Sequence, residues 1–154
     1  MTQLRERILN SPREGQIVTG CSVMIQTFVS DTGGVRGFAL RSAVHAAQRQ
    51  RPDLLDTAAR RLLPEFLDAL DPHYAEWNPA AEPDFARFLD ARSASAREAL
   101  IAVADRRARA SSNRVVKSLY ERMRGSAGKD VERLLPDLAR LIADELDAQR
   151  RDGA

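Results

Sequence analysis

The stretch DTGGVRGFALR, from Asp31 to Arg41, places Gly33, Gly34 and Gly37 within five positions, with Arg36 among them and Arg41 four residues past the last. Glycines this close ahead of a helix-like segment can bare backbone amides to an anion. A phosphate loop needs Gly-x-x-x-x-Gly-Lys-Ser/Thr, and nothing after Gly33 or Gly34 matches it. The dinucleotide fingerprint follows a strand, whereas helical periodicity precedes this segment. What remains is a helix N-terminus near Arg36 or Gly37, whose free amides and dipole, with Gly34, Arg36, Gly37 and Arg41, would suit an anion. The same glycines are also what a corner between two helices requires, because glycine adopts left-handed geometry just past a helix. The corner is the favoured expectation, with Gly33 or Gly34 closing the preceding helix.

Other groups offer less. From Asp105 to Lys129 eight bases (Arg106, Arg107, Arg109, Arg114, Lys117, Arg122, Arg124 and Lys129) face two acids, whereas residues 53 to 90 hold nine acids and three bases. Such a basic strip would contact phosphates or an acidic protein, but two solvated or mutually facing helix surfaces would read the same way. Tyr120 is its single aromatic, so a stacking platform for single strands is lacking. The segment DPHYAEWNP gathers His73, Tyr74 and Trp77 beside Asp71 and Glu76. No second spacing completes a metal-ligand set, so no metal is expected. Tyr74 and Trp77 would either fold over the end of the molecule or form a partner-facing patch. Cys21 falls on an apolar helical face, where a thiol is packing. Ser42 and Ser118 adjoin Arg41 and Lys117 with no activating histidine in register, and Asp68 with Asp71 reads as a solvated pair. No catalytic residue is indicated, and whether the chain is an enzyme stays open.

The elements that must position these groups are helical. Ser11, Pro12 and Glu14 look like an N-cap, a first-turn proline and a capping-box acid. Ile17, Val18, Cys21, Met24, Ile25, Phe28 and Val29 then recur at spacings of three and four. Leu4, Ile8 and Leu9 suggest a short helix before this one, and residues 37 to 50 a third ended by Arg51-Pro52. A fourth spans 53 to 70, kinked or divided by Pro64, and a proline-rich connection starting at Asp71 follows. Helices around DFARFLDAR, ASAREALIAVADRRARA and NRVVKSLYERMRG precede a last one from about 129 to 149, interrupted by Pro136. The expected fold is all-α, a single-domain bundle of about seven or eight helices. RLLPEFLDAL (61 to 70) and RLLPDLARLI (133 to 142) align without gaps. Two similar halves, 1–72 and 84–150, would account for this echo, as would chance recurrence of leucine-rich turns begun by proline.

In this order TGGVRGFALR, LLPEFLDALDP, VADRRA and KSLYERMRGSAGKDVERLLPDLARLI resemble an uncharacterised family of small all-helical bacterial proteins, a domain of unknown function. The resemblance runs from about Ser11 to Ile142. It implies kinship and transfers no catalytic residue. Where the family's segment resembles Gly-Leu-Ser-Gly, a helical stretch and then Lys, this chain has Gly34, Val35, Arg36, Gly37 and later Arg41. The serine hydroxyl is absent.

Composition bounds the rest. A 154-residue chain that is 44% apolar and 30% charged is ordinary for one globular domain, and 5% aromatic content favours packed helices over a sheet. A net charge of +2 advertises neither nucleic acid nor membrane. One cysteine excludes an internal disulfide and suits a reducing compartment, and the charged N-terminal stretch is unlike a signal peptide. The expectation is a cytoplasmic, non-enzymatic helical binding or scaffolding domain with an unknown protein partner and no cofactor. The alternatives are a bundle enclosing a small hydrophobic or anionic ligand between its halves, and a nucleic-acid accessory protein using residues 106 to 129. Nucleic acid is the less favoured partner, and oligomeric state is left open.

Overall fold

The computed structural model describes residues 2–153, apart from the side chains of Val115, Val116 and Leu119. The described residues form helices α1 (Gln3–Leu9), α2 (Glu14–Asp31), α3 (Gly34–Gln50), α4 (Leu54–Glu76), α5 (Phe85–Asp90), α6 (Ser93–Ala110), α7 (Arg114–Met123) and α8 (Ala127–Asp152), with a 3-10 turn at Arg124–Ser126 before the last. The expected all-α bundle is the observed fold.

Apolar residues at helical spacing give each long helix one inward face. Ile17, Val18 and Cys21 on α2 meet Ala59, Leu63, Leu67 and Leu70 on α4. Ala96 and Leu100 on α6 meet Leu135, Leu138, Ile142 and Leu146 on α8. These four helices close a ring, α2 on α4, α4 on α6, α6 on α8 and α8 back on α2. The short helices lie against it, α1 on α4 and α8, and α5 on α8. The helices α3 and α7 stand outside, packed chiefly on α2 and α6. The neighbour relations of the first four helices therefore recur in the last four.

The ends of the short helices are tied down in matching places. Thr2 and Arg5 donate to the Asp68 carboxylate of α4 at 2.7 and 2.9 Å, and the Leu4 amide donates to Asp71 at 2.9 Å. On the other side Arg140 of α8 donates to Asp84, which caps α5 through the Ala86 amide. In the gapless alignment Asp68 stands opposite Arg140, so one place in the echo carries opposite charges with opposite partners. Asp68 and Asp71 are anchors for α1 rather than a merely solvated pair.

Several expected boundaries move. The second helix begins at Glu14 with Arg13 as its N-cap, and Ser11 does not cap it. The Ser11 hydroxyl donates instead to buried Glu145 at 2.5 Å and accepts from the Arg13 amide, fixing the α1–α2 turn to α8. Neither Pro64 nor Pro136 divides its helix, and α4 continues past Pro72 through His73 and Tyr74 to Glu76. A proline within a helix costs ~3 kcal/mol. The leucines buried beside each, Leu63 and Leu67 or Leu135 and Leu138, contribute about 1.5–3 kcal/mol apiece only if the helical register is kept. Burial wins. Arg107 of α6 also donates to the Arg61 carbonyl of α4 at 3.1 Å.

Candidate functional site

The glycine-rich corner sets the angle at which α3 leaves the bundle. The helix α2 ends at Asp31 with Thr32 extended as its cap, and Gly33 is extended too (φ −90°, ψ 175°). The left-handed residue is Gly34 (φ 71°), and it opens α3 instead of closing α2. What serves the end of α2 is polar. The Thr32 hydroxyl donates to the Phe28 carbonyl at 2.8 Å, and Arg41 Nη1 donates to the Thr32 carbonyl at 2.6 Å. That carbonyl lies so near Gly37 that a Cβ there would stand 1.8 Å from its oxygen. Thus Gly34 and Gly37 shape the corner, Arg41 fastens it, and Arg36 pairs with Asp130 of α8. Side-chain-to-carbonyl bonding of this kind is not legible in a spacing pattern.

Because it is attached at this corner and along α2, α3 buries only Gly37 and Leu40. Val35 is 87% exposed and Phe38 68% exposed. Across from it α7 is tied to α6 through Tyr120, whose hydroxyl donates to Asp105, a carboxylate that also accepts from Arg124 at 2.9 Å. Burial and then the Asp105 hydrogen bond push the Tyr120 hydroxyl up to about 12. The Tyr120 bond in turn holds Asp105 below the ordinary carboxylate range.

Between the two outer helices lies a cleft of about 750 Å³. Its α3 wall is Val35, Arg36, Ala39, Leu40 and Ala43; its α7 wall is Arg114, Ser118, Arg122 and Met123. Arg36 and Arg114, which the sequence assigns to two separate candidate sites, line the same space. The apolar α3 residues and Met123 escape notice in the sequence, because a helix face with a few aliphatics looks like core until its neighbours are known. A second cleft of about 520 Å³, between α5, α6 and α8, differs in kind. There Arg97 pairs with Glu132 at 3.6 Å and Arg140 with Asp84 at 2.7 Å.

The other candidate residues disperse. Arg106 and Arg109 are exposed near the C-terminal end of α6, and Lys117 is exposed on α7. Arg107 is engaged with Glu65 of acidic α4 at 2.8 Å. Tyr74 and Trp77 are half-buried and pack on Phe85, with ring centroids 5.9 and 5.1 Å from it. The indole N–H donates to the Glu82 carbonyl at 2.7 Å. Cys21 is buried, and burial pushes its thiol up to about 11.

One pairing absent from the sequence reading is His73 with Ser95, joined at 3.0 Å through Nε2. Base and hydroxyl are of the right types for nucleophilic chemistry. However, His73 Nδ1 has no partner among the described residues and Ser95 does not line the α3–α7 cleft, so the bond ties α4 to α6. Burial lowers the affinity of His73 for a proton. The Ser11 partner Glu145 behaves differently: burial alone would raise its carboxyl, yet hydrogen bonds from Arg13, Ser11 and Gln149 outweigh it and leave it below the usual glutamate range. Among the described residues no three His, Cys, Asp or Glu side chains gather as a metal-ligand set, and no helix is long and apolar enough to cross a membrane.

No curated protein and no solved structure matches the chain. Residues 4–146 do match a family model, which extends the resemblance through α1 and most of α8, and the chain belongs to this family of unknown function, DUF6918.

Proposed function

We propose that the protein is a non-enzymatic binding or scaffolding domain of the bacterial cytoplasm that takes a protein partner in the α3–α7 cleft. The observation that carries this reading is the exposure of Val35 and Phe38 beside an open cleft with an aliphatic α3 wall. Contiguous exposed apolar surface, unlike singly scattered side chains, marks interaction sites. The helix bearing them leans on α2 and buries little of itself, so it is free to pack on something else.

Filling the cleft tests this. Ala43→Trp places an indole between α3 and α7 without touching the four-helix ring. Quantitative affinity capture with wild type and variant should show specific protein species reduced at least about tenfold by the substitution, at unchanged melting temperature. An identical captured set for both would overturn the proposal. The cleft volume supports a second reading, since small-molecule sites occupy roughly 300–1,000 Å³. Native mass spectrometry of the purified protein separates the two, a bound small mass lost in Ala43→Trp favouring the ligand.

A further inference from the structure

We infer that the occupant of the α3–α7 cleft is an acidic amphipathic helix of the partner, with two carboxylates about two turns apart. This rests on the cleft being the binding site, as proposed above.

The two walls of the cleft are chemically unlike. On α7, Arg114, Ser118 and Arg122 follow one another at intervals of four, which sets them in one row along the helix. On α3, Val35, Ala39 and Ala43 repeat the same interval and form a row of small aliphatic side chains. One side is basic and the other apolar. Among the described residues no carboxylate lines the cleft, and neither Arg114 nor Arg122 has an acid within ion-pair distance. Arg36 adds a third positive charge, and although its terminal nitrogen meets Asp130, its Nε has no acceptor among the described residues.

An uncompensated basic row beside an apolar one selects a partner with acids and aliphatics in adjacent rows. Spacing narrows the choice. Eight residues of helix separate Arg114 from Arg122, roughly 12 Å at 1.5 Å per residue. Acids seven or eight residues apart on a helix reach both, and the same helix turns residues at intervals of three and four toward Val35, Ala39 and Ala43. Alanine at two of these positions lets another helix approach closely.

The test uses the full chain and two fluorescent 18-residue helical peptides with one shared aliphatic face. The first carries glutamates seven residues apart along the flank; the second carries lysines in their place. By fluorescence anisotropy the glutamate peptide should bind at least tenfold more tightly at low salt, and added salt should shrink that advantage. Arg114→Glu with Arg122→Glu, both at exposed positions, should reverse the preference, with far-UV circular dichroism confirming the fold. Ala43→Trp should weaken both peptides. Equal binding of the two peptides, both lost in Ala43→Trp, would overturn the acidic occupant and leave the cleft as the site. No binding of either peptide would overturn the inference. Binding unaffected by Ala43→Trp would overturn the cleft reading itself. Anionic vesicles competing away the glutamate peptide, and themselves bound tenfold more tightly, would replace the helix by a lipid surface.

Discussion

At the scale of single residues, three neighbouring glycines have three different reasons to be glycine. Gly33 is extended with open space where a side chain would go, so Gly33→Ala should be close to neutral. Gly34 has open space too, but its φ of 71° strains any L-residue, and Gly34→Ala should cost about 1 kcal/mol. Gly37 has ordinary helical backbone and no space, because the Thr32 carbonyl occupies the position of a Cβ. Gly37→Ala must therefore push the α2–α3 corner apart and should cost the most, roughly 1–3 kcal/mol. Urea unfolding of the three variants measures the ranking. Equal effects at Gly33 and Gly37 would show that the corner is not as tight as described.

At the scale of elements, the long helices are defined by what they bury more than by local propensity. Pro64, Pro72 and Pro136 would each end a helix standing alone, yet α4 and α8 run through them. Leu63 and Leu135, each just before a proline, are nearly inaccessible at 2% and 4%. Leu63→Ala and Leu135→Ala should each lower stability by about 2–5 kcal/mol, the range for deleting a buried leucine side chain. Unfolding free energies within about 1 kcal/mol of wild type, for both variants, would mean that the helical faces are misassigned. The outer helices depend on the opposite balance. With so few buried residues, α3 is held by its corner, by Arg41 and by the Arg36–Asp130 pair, which is why it keeps an apolar face for other use.

At the scale of the whole molecule, the ring of α2, α4, α6 and α8 takes two helices from each half of the chain, and each contacts a ring helix of the other half. Neither half has a closed core of its own. Unfolding should therefore be a single cooperative transition, with the fluorescence of Trp77, at the junction of the halves, coinciding with far-UV circular dichroism. Two separated transitions would show that 1–72 and 84–150 fold as independent units.

The periodicity of leucine, isoleucine and alanine is a local property. It was enough to determine the all-helical class, the approximate order of the helices, and the inward face of α2. The glycines at 33, 34 and 37 likewise announced a corner. Other features depended on residues far apart in the chain. Whether Pro64 breaks a helix was decided by leucines packed against α2 and α6. Whether Ser11 caps α2 was decided by Glu145, 134 residues away. Only the tertiary structure set Arg36 and Arg114 across one cleft, because a side chain becomes part of a site through neighbours that its own stretch of sequence does not contain.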